Sequence, residues 1–266
     1  LALCEDNLPT PAIADPGKYF KTVLYTGKGA TGTDGSQSIR KVGFQPDLVW
    51  VKKRSTAGDH KLVDSVRGSG KVLESNTADQ EGDESNNFTG FNFDGFDLGA
   101  NNAGAWNESP YGYVAWCWKA GGPAVTNTEG TITTQVSANP EAGFSIVKSD
   151  GPGVSGHGLN STPKWIIQKS LTSGNWNVQH HLMMTTSTGK LLLNSSSNIV
   201  SSSTKYMHNA TATTFEPIFS GNQIAYVWAE VAGFSKFGKY IGNGNADGPF
   251  VYCGFKPAWL LIKRLD

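Results

Sequence analysis

The sequence predicts an all-β protein built from tandem antiparallel β-sandwich modules, jelly-roll-like and of about 100 residues each. Three observations predict it. The first is a landmark that returns: Gly43-Phe44-Gln45-Pro46-Asp47-Leu48-Val49-Trp50, a looser copy from Gly158 to Ser170, and Gly254-Phe255-Lys256-Pro257-Ala258-Trp259-Leu260-Leu261. The second is the run Tyr113-Val114-Ala115-Trp116-Cys117-Trp118, echoed by Gln223-Ile224-Ala225-Tyr226-Val227-Trp228. Two landmarks in the same order at domain spacing mark whole domains in tandem, because solenoid repeats run only about 20 to 45 residues. The third is composition. There are 32 Gly among 266 residues, with many Ser, Thr and Asn, a mixture that favours turns and short strands. Nowhere does an apolar i, i+3, i+4, i+7 stripe run between helix caps.

The elements follow in chain order. Residues 1–18 are Pro-rich and read as an extended strap or the end of a preceding domain. The first module, 19–122, holds a weakly alternating strand at 20–25 and a continuous apolar run at 48–51. It also holds a hairpin in which 91–93 faces 96–98 across Asp94-Gly95, a pair suited to the positive φ of a type I′ turn. Residues 123–142 form a linker, within which 130–136 adds a strand. The second module, 143–234, has strands at 144–147, 165–167, 176–180, 191–193 and 224–231. Residues 235–266 open a third module that has the Gly-Pro landmark and lacks the Trp-rich one. A closed barrel is the alternative to a sandwich. The chain starts without Met, so both ends read as cut from a longer array.

Charge excludes some partners. Lys plus Arg and Asp plus Glu are 22 each, and charged residues make up 17% against about 25% in average soluble proteins. No basic patch calls for nucleic acid. No apolar run approaches the ~18 residues of a membrane span, so no membrane insertion is expected. Cys4, Cys117 and Cys253 are odd in number and far apart, which speaks against disulfides and zinc.

Catalytic motifs fail on inspection. Gly27-Lys28-Gly29-Ala30-Thr31-Gly32 matches G-x-G-x-x-G, yet Thr33-Asp34-Gly35-Ser36 offers no helix start for a pyrophosphate. Gly68-Ser69-Gly70-Lys71 lacks the rest of a P-loop. Asp79-Gln80-Glu81-Gly82-Asp83-Glu84 does not fit calcium-loop spacing and reads as a solvated loop. His180 and His181 would point to opposite faces of a strand and share no metal. The reading is therefore a non-enzyme with no metal and no cofactor; a distant carboxylate pair of the glycosidase type is the catalytic alternative. Trp50, Trp116, Trp118, Trp165, Trp228 and Trp259 sit in apolar runs and belong to the core. Trp106 lies in a polar loop, as a lid over the core or an exposed contact. It is the first candidate for ligand stacking, with Trp176 and Tyr206 as weaker ones.

The strings Tyr25-Thr26-Gly27-Lys28-Gly29, Val42 to Lys52, Tyr113 to Gly122 and Gly233-Phe234-Ser235-Lys236-Phe237-Gly238 together resemble a repeated β-rich module of tailed phages. That module occurs in tail fibre or tail proteins of marine phages, including cyanophages. Asp247 to Phe255 is similar to the join between successive modules there, and Leu1 to Pro11 looks like the end of a SPRY-like domain. The likeness departs at the insertion Gly158 to Pro163 and at the unfinished third module. It brings no catalytic residues. It implies a virion component, a homotrimeric fibre segment contacting neighbouring tail proteins and a host cell-surface glycan or protein. The alternatives are a decoration or collar protein without receptor contact, and part of a tailspike-like depolymerase.

Overall fold

The computed structural model describes residues 7–29, 35–100, 106–183, 189–201 and 209–265. The first half of the chain supplies β1 (Phe20–Thr26), β2 (Gln37–Ile39), β3 (Leu48–Lys53), β4 (His60–Asp64), β5 (Lys71–Glu74), β6 (Gly82–Asp83), β7 (Phe88–Asn92), β8 (Gly95–Leu98) and β9 (Gly112–Trp118). They form a six-stranded sheet, β1-β9-β3-β4-β5-β6, and a three-stranded one, β2-β8-β7. The second half supplies β10 (Val125–Asn127), β11 (Thr134–Asn139), β12 (Phe144–Asp150), β13 (Ser155–Gly156), β14 (Trp165–Ser170), β15 (Asn177–His180), β16 (Gly189–Leu192), β17 (Val200–Ser201), β18 (Thr214–Phe215) and β19 (Asn222–Trp228). These form an eight-stranded sheet, β10-β11-β12-β19-β14-β15-β16-β17, and the ribbon β13-β18. The protein is all-β, an antiparallel sandwich in which no sheet closes into a barrel among the described residues.

Period-two burial explains the layering. In β3, Val49 and Val51 turn toward the three-stranded sheet and meet Phe88, Phe96 and Leu98, whereas Leu48 and Trp50 turn the other way. That other face meets the eight-stranded sheet. Leu48, Trp50, Leu62, Leu73 and Trp118 share the largest core cluster with Phe144, Trp165, Ile167, Trp176 and Tyr226. A smaller cluster, with Val147, Ile166, Phe215 and Val227, lies between the eight-stranded sheet and the ribbon. Each fully buried large apolar side chain contributes about 1.5–3 kcal/mol of transfer free energy.

The two large sheets share a strand order, since β1-β9-β3-β4-β5-β6 matches β12-β19-β14-β15-β16-β17. Register matches too. Trp118 of β9 stands between Phe20 and Leu48, and Trp228 of β19 stands between Phe144 and Trp165. The landmark glycines all take positive φ, +87° at Gly43, +67° at Gly158 and +81° at Gly254, a conformation that disfavours a Cβ.

Three segments differ from the sequence reading. The expected linker 123–142 is structural: β10 and β11 extend the second sheet beyond β12. Between 235 and 265 no strand forms among the described residues; instead Phe237, Trp259 and Leu261 pack on the large core. The β7–β8 hairpin pairs Asn92 with Gly95, so its two-residue loop is Phe93-Asp94, and neither loop residue has positive φ. Gly95 opens β8, where its missing Cβ admits the carbonyl of Ile39. Residues 8–18 hold no strand; Pro16–Lys18 make a 3-10 turn, and the Ala12 amide donates to the Ala232 carbonyl at 2.9 Å.

Candidate functional site

Two of the three aromatic residues nominated from sequence, Trp106 and Trp176, are buried. Trp106 is fully buried, packs on Phe88 with centroids 5.5 Å apart, and donates from Nε1 to Glu84 Oε2 at 2.5 Å. It is a lid over the core with no ring face left for a ligand. Trp176 is also fully buried, and its Nε1 donates to the Glu74 carbonyl across the two large sheets at 2.7 Å. Tyr206 lies outside the described residues, as does Cys4.

Three of the four carboxylates of the acidic stretch, Glu81, Asp83 and Glu84, are in ion pairs. Lys61 bridges Glu74 and Glu84, Arg67 reaches Glu81 at 3.2 Å, and Lys71 reaches Asp83 at 3.0 Å. The Lys71 ammonium and the Ser85 backbone amide hold the Asp83 carboxyl down at about 2, with the amide the larger influence. His180 ends β15 and His181 begins a 3-10 turn, so their rings lie side by side at 4.9 Å and do not point to opposite faces. Among the described residues no cluster of three His, Cys, Asp or Glu could hold a metal ion.

An open cleft of about 450 Å³ lies beside the junction of the six-stranded and eight-stranded sheets. Three backbone segments build it: the turn before β3 with Phe44 and Gln45, the stretch after β9 with Lys119, and the end of β11 with Asn139. Phe93 at the hairpin tip forms its rim. Two aspartates brace these walls. Asp94 accepts the amides of Gly43 at 2.7 Å and Lys41 at 3.1 Å. Asp47 accepts from Ser65 Oγ at 2.9 Å and from the amides of Ala120 at 2.7 Å and Gly122 at 3.3 Å. Burial pushes the Asp47 carboxyl up, and its hydrogen bonds offset that only in part.

Phe93 is the exposed aromatic that the sequence reading missed, at 81% exposure. Shifting the turn by one residue takes it out of β7 and onto the tip. The Arg40 guanidinium stands 5.6 Å from its ring centroid, and Arg40 pairs with Asp97 at 3.6 Å. A planar apolar face beside Gln45, Lys119 and Asn139 suits a ligand with both C–H faces and hydroxyl groups. The cleft supplies one carboxylate, already engaged, whereas glycoside hydrolysis uses two facing the scissile bond.

No curated protein and no solved structure matches the chain. One family model, described as a domain of unknown function, DUF7483, matches residues 15–266. That match runs from the strap through both large sheets to the third landmark, so the chain belongs to the DUF7483 family.

Proposed function

We propose that the chain is a structural and adhesive segment of a phage virion, part of a tail fibre that projects toward a host cell and binds a surface glycan. The observation that carries this reading is the repeated sheet plan with a third landmark already laid against it: Trp259 packs on Trp50, Trp118 and Trp165 at 5.3–6.4 Å. A chain that buries its repeats against one another makes a stiff rod, and repeated weak sites on a rod gain from effective concentration. The Phe93 cleft supplies the adhesive part, through an aromatic face flanked by amide and ammonium groups. A collar or decoration protein would share the rod and lack the ligand.

The test is binding of the labelled chain to host cells and to their isolated surface glycan. Phe93→Ala is expected to weaken binding about tenfold, the equivalent of about 1.4 kcal/mol, with the thermal midpoint little changed because the ring is 81% exposed. Undiminished binding by the variant removes the cleft from the reading. No binding by the parent chain favours the decoration role.

A further inference from the structure

Among the described residues, the outer edge of β1 has no strand beside it where its counterpart is covered. Among the terminal strands of the two large sheets, β6 and β17 have 2 residues each and β10 has 3, whereas β1 has 7. Short terminal strands are a common guard against unwanted pairing. In the second sheet the strand equivalent to β1 is β12, and β11 lies along it with Phe144 opposite Asn139 and Ile146 opposite Ser137. Beyond β9, no described strand lies along β1.

The phase of the ladder shows which groups face out. The Lys119 amide donates to the Tyr19 carbonyl, and the Gly27 amide donates to the Tyr111 carbonyl. Odd-numbered residues of β1 therefore exchange hydrogen bonds with β9, and the amides and carbonyls of Phe20, Thr22 and Leu24 face away. Thr22 and Leu24 are exposed, Leu24 at 59%.

We infer that this edge pairs with the same edge of a second copy, antiparallel about a dyad at Val23. That register sets Thr22 opposite Leu24 of the second copy, so outward-facing groups meet outward-facing groups, and at the strand's end it leaves the Thr26 carbonyl to Gln37 Nε2, which donates to it at 3.1 Å. Lys21 is the single charge on β1, and it falls opposite Tyr25 of the second copy. No like charges meet, and Leu24 gains apolar cover. The Pro-rich strap does not compete, because Ala12 is tied to Ala232. The product is a twofold dimer with one continuous sheet, in place of the threefold that the fibre resemblance implies.

The experiment is solution mass by light scattering over a dilution series of the full chain, with two double variants. The parent should give twice the 28.4 kDa of one chain. Thr22→Lys with Leu24→Lys should halve that mass, and Thr22→Lys with Leu24→Glu should restore it, because the dyad sets the new Lys opposite the new Glu. Hydrogen exchange supplies a readout that needs no variant: Thr22 and Leu24 amides should be protected in the parent. A monomeric or trimeric parent, a lysine variant that stays dimeric, or fast exchange at both amides overturns the proposal.

Discussion

Three histidines have the same physical arrangement at different places. His60 Nδ1 accepts from Trp50 Nε1 at 3.1 Å, His157 Nδ1 accepts from the Leu159 amide at 3.2 Å, and His180 Nδ1 accepts from the Leu182 amide at 3.1 Å. A ring that accepts there loses the bond on protonation. Burial lowers all three, His180 to about 4 with the neighbouring His181 adding to it. The unfolded chain therefore binds protons that the folded chain refuses, from the ordinary 6.5 downward. Stability is full above that value and falls as pH drops toward the folded values. The thermal midpoint should decline between pH 7 and pH 5, and His180→Asn, whose Oδ1 can accept without titrating, should make the decline shallower. A flat midpoint in the parent over that window sinks the argument. Residue type alone did not reveal this, since a histidine's role depends on what stands at Nδ1.

At the scale of elements, the landmark was legible because it joins two constraints, a glycine that needs positive φ and a proline that ends just before an apolar strand. The hairpin was legible in kind and misplaced by one residue. Asp94-Gly95 carries a strong turn signal, but Gly95 is needed as the first residue of β8, where a Cβ would stand 1.9 Å from the Ile39 carbonyl oxygen. The close approach of β2 goes with this register, and no local pattern reports a neighbour so distant in sequence. Gly95→Ala should cost about 2–3 kcal/mol in urea unfolding, and Gly90→Ala, with open space around it, should stay within about 0.5 kcal/mol. Gly95 also has a φ of +153°, so equal effects would mean that neither the approach of β2 nor the backbone conformation selects glycine there. The same one-residue shift hid the candidate site, because it is what moves Phe93 from a strand face to a rim.

For the whole molecule, period-two patterning showed which strands have two buried faces, yet could not show what the second face meets. Alternation in β3 and β9 fits a domain with its own small sheet; only the assembled chain shows Leu48, Trp50 and Trp118 closing on Phe144 and Trp165. A polar lock crosses that same core. Asp64 and Arg67 pair at 2.5 Å with their side chains almost fully buried, and Tyr226 of β19 donates to Asp64 Oδ2 at 2.8 Å and stands 3.2 Å from Arg67 Nη2. The carboxylate and guanidinium come from the first sheet's β4 and the turn after it, and the phenol comes from the second. Tyr226→Phe removes two hydrogen bonds to charged groups, the one it donates to Asp64 and the one it accepts from Arg67, of which the shorter alone is about 1.5–3 kcal/mol, and leaves Asp64 with Arg67 and two backbone amides and Arg67 Nη2 with the Leu62 carbonyl. If the large core makes the two sheets one cooperative body, this loss should lower a single calorimetric transition. Two separable transitions, with only one shifted by Tyr226→Phe, would instead mean that each sheet melts on its own and that the aromatic cluster between them joins bodies already stable alone.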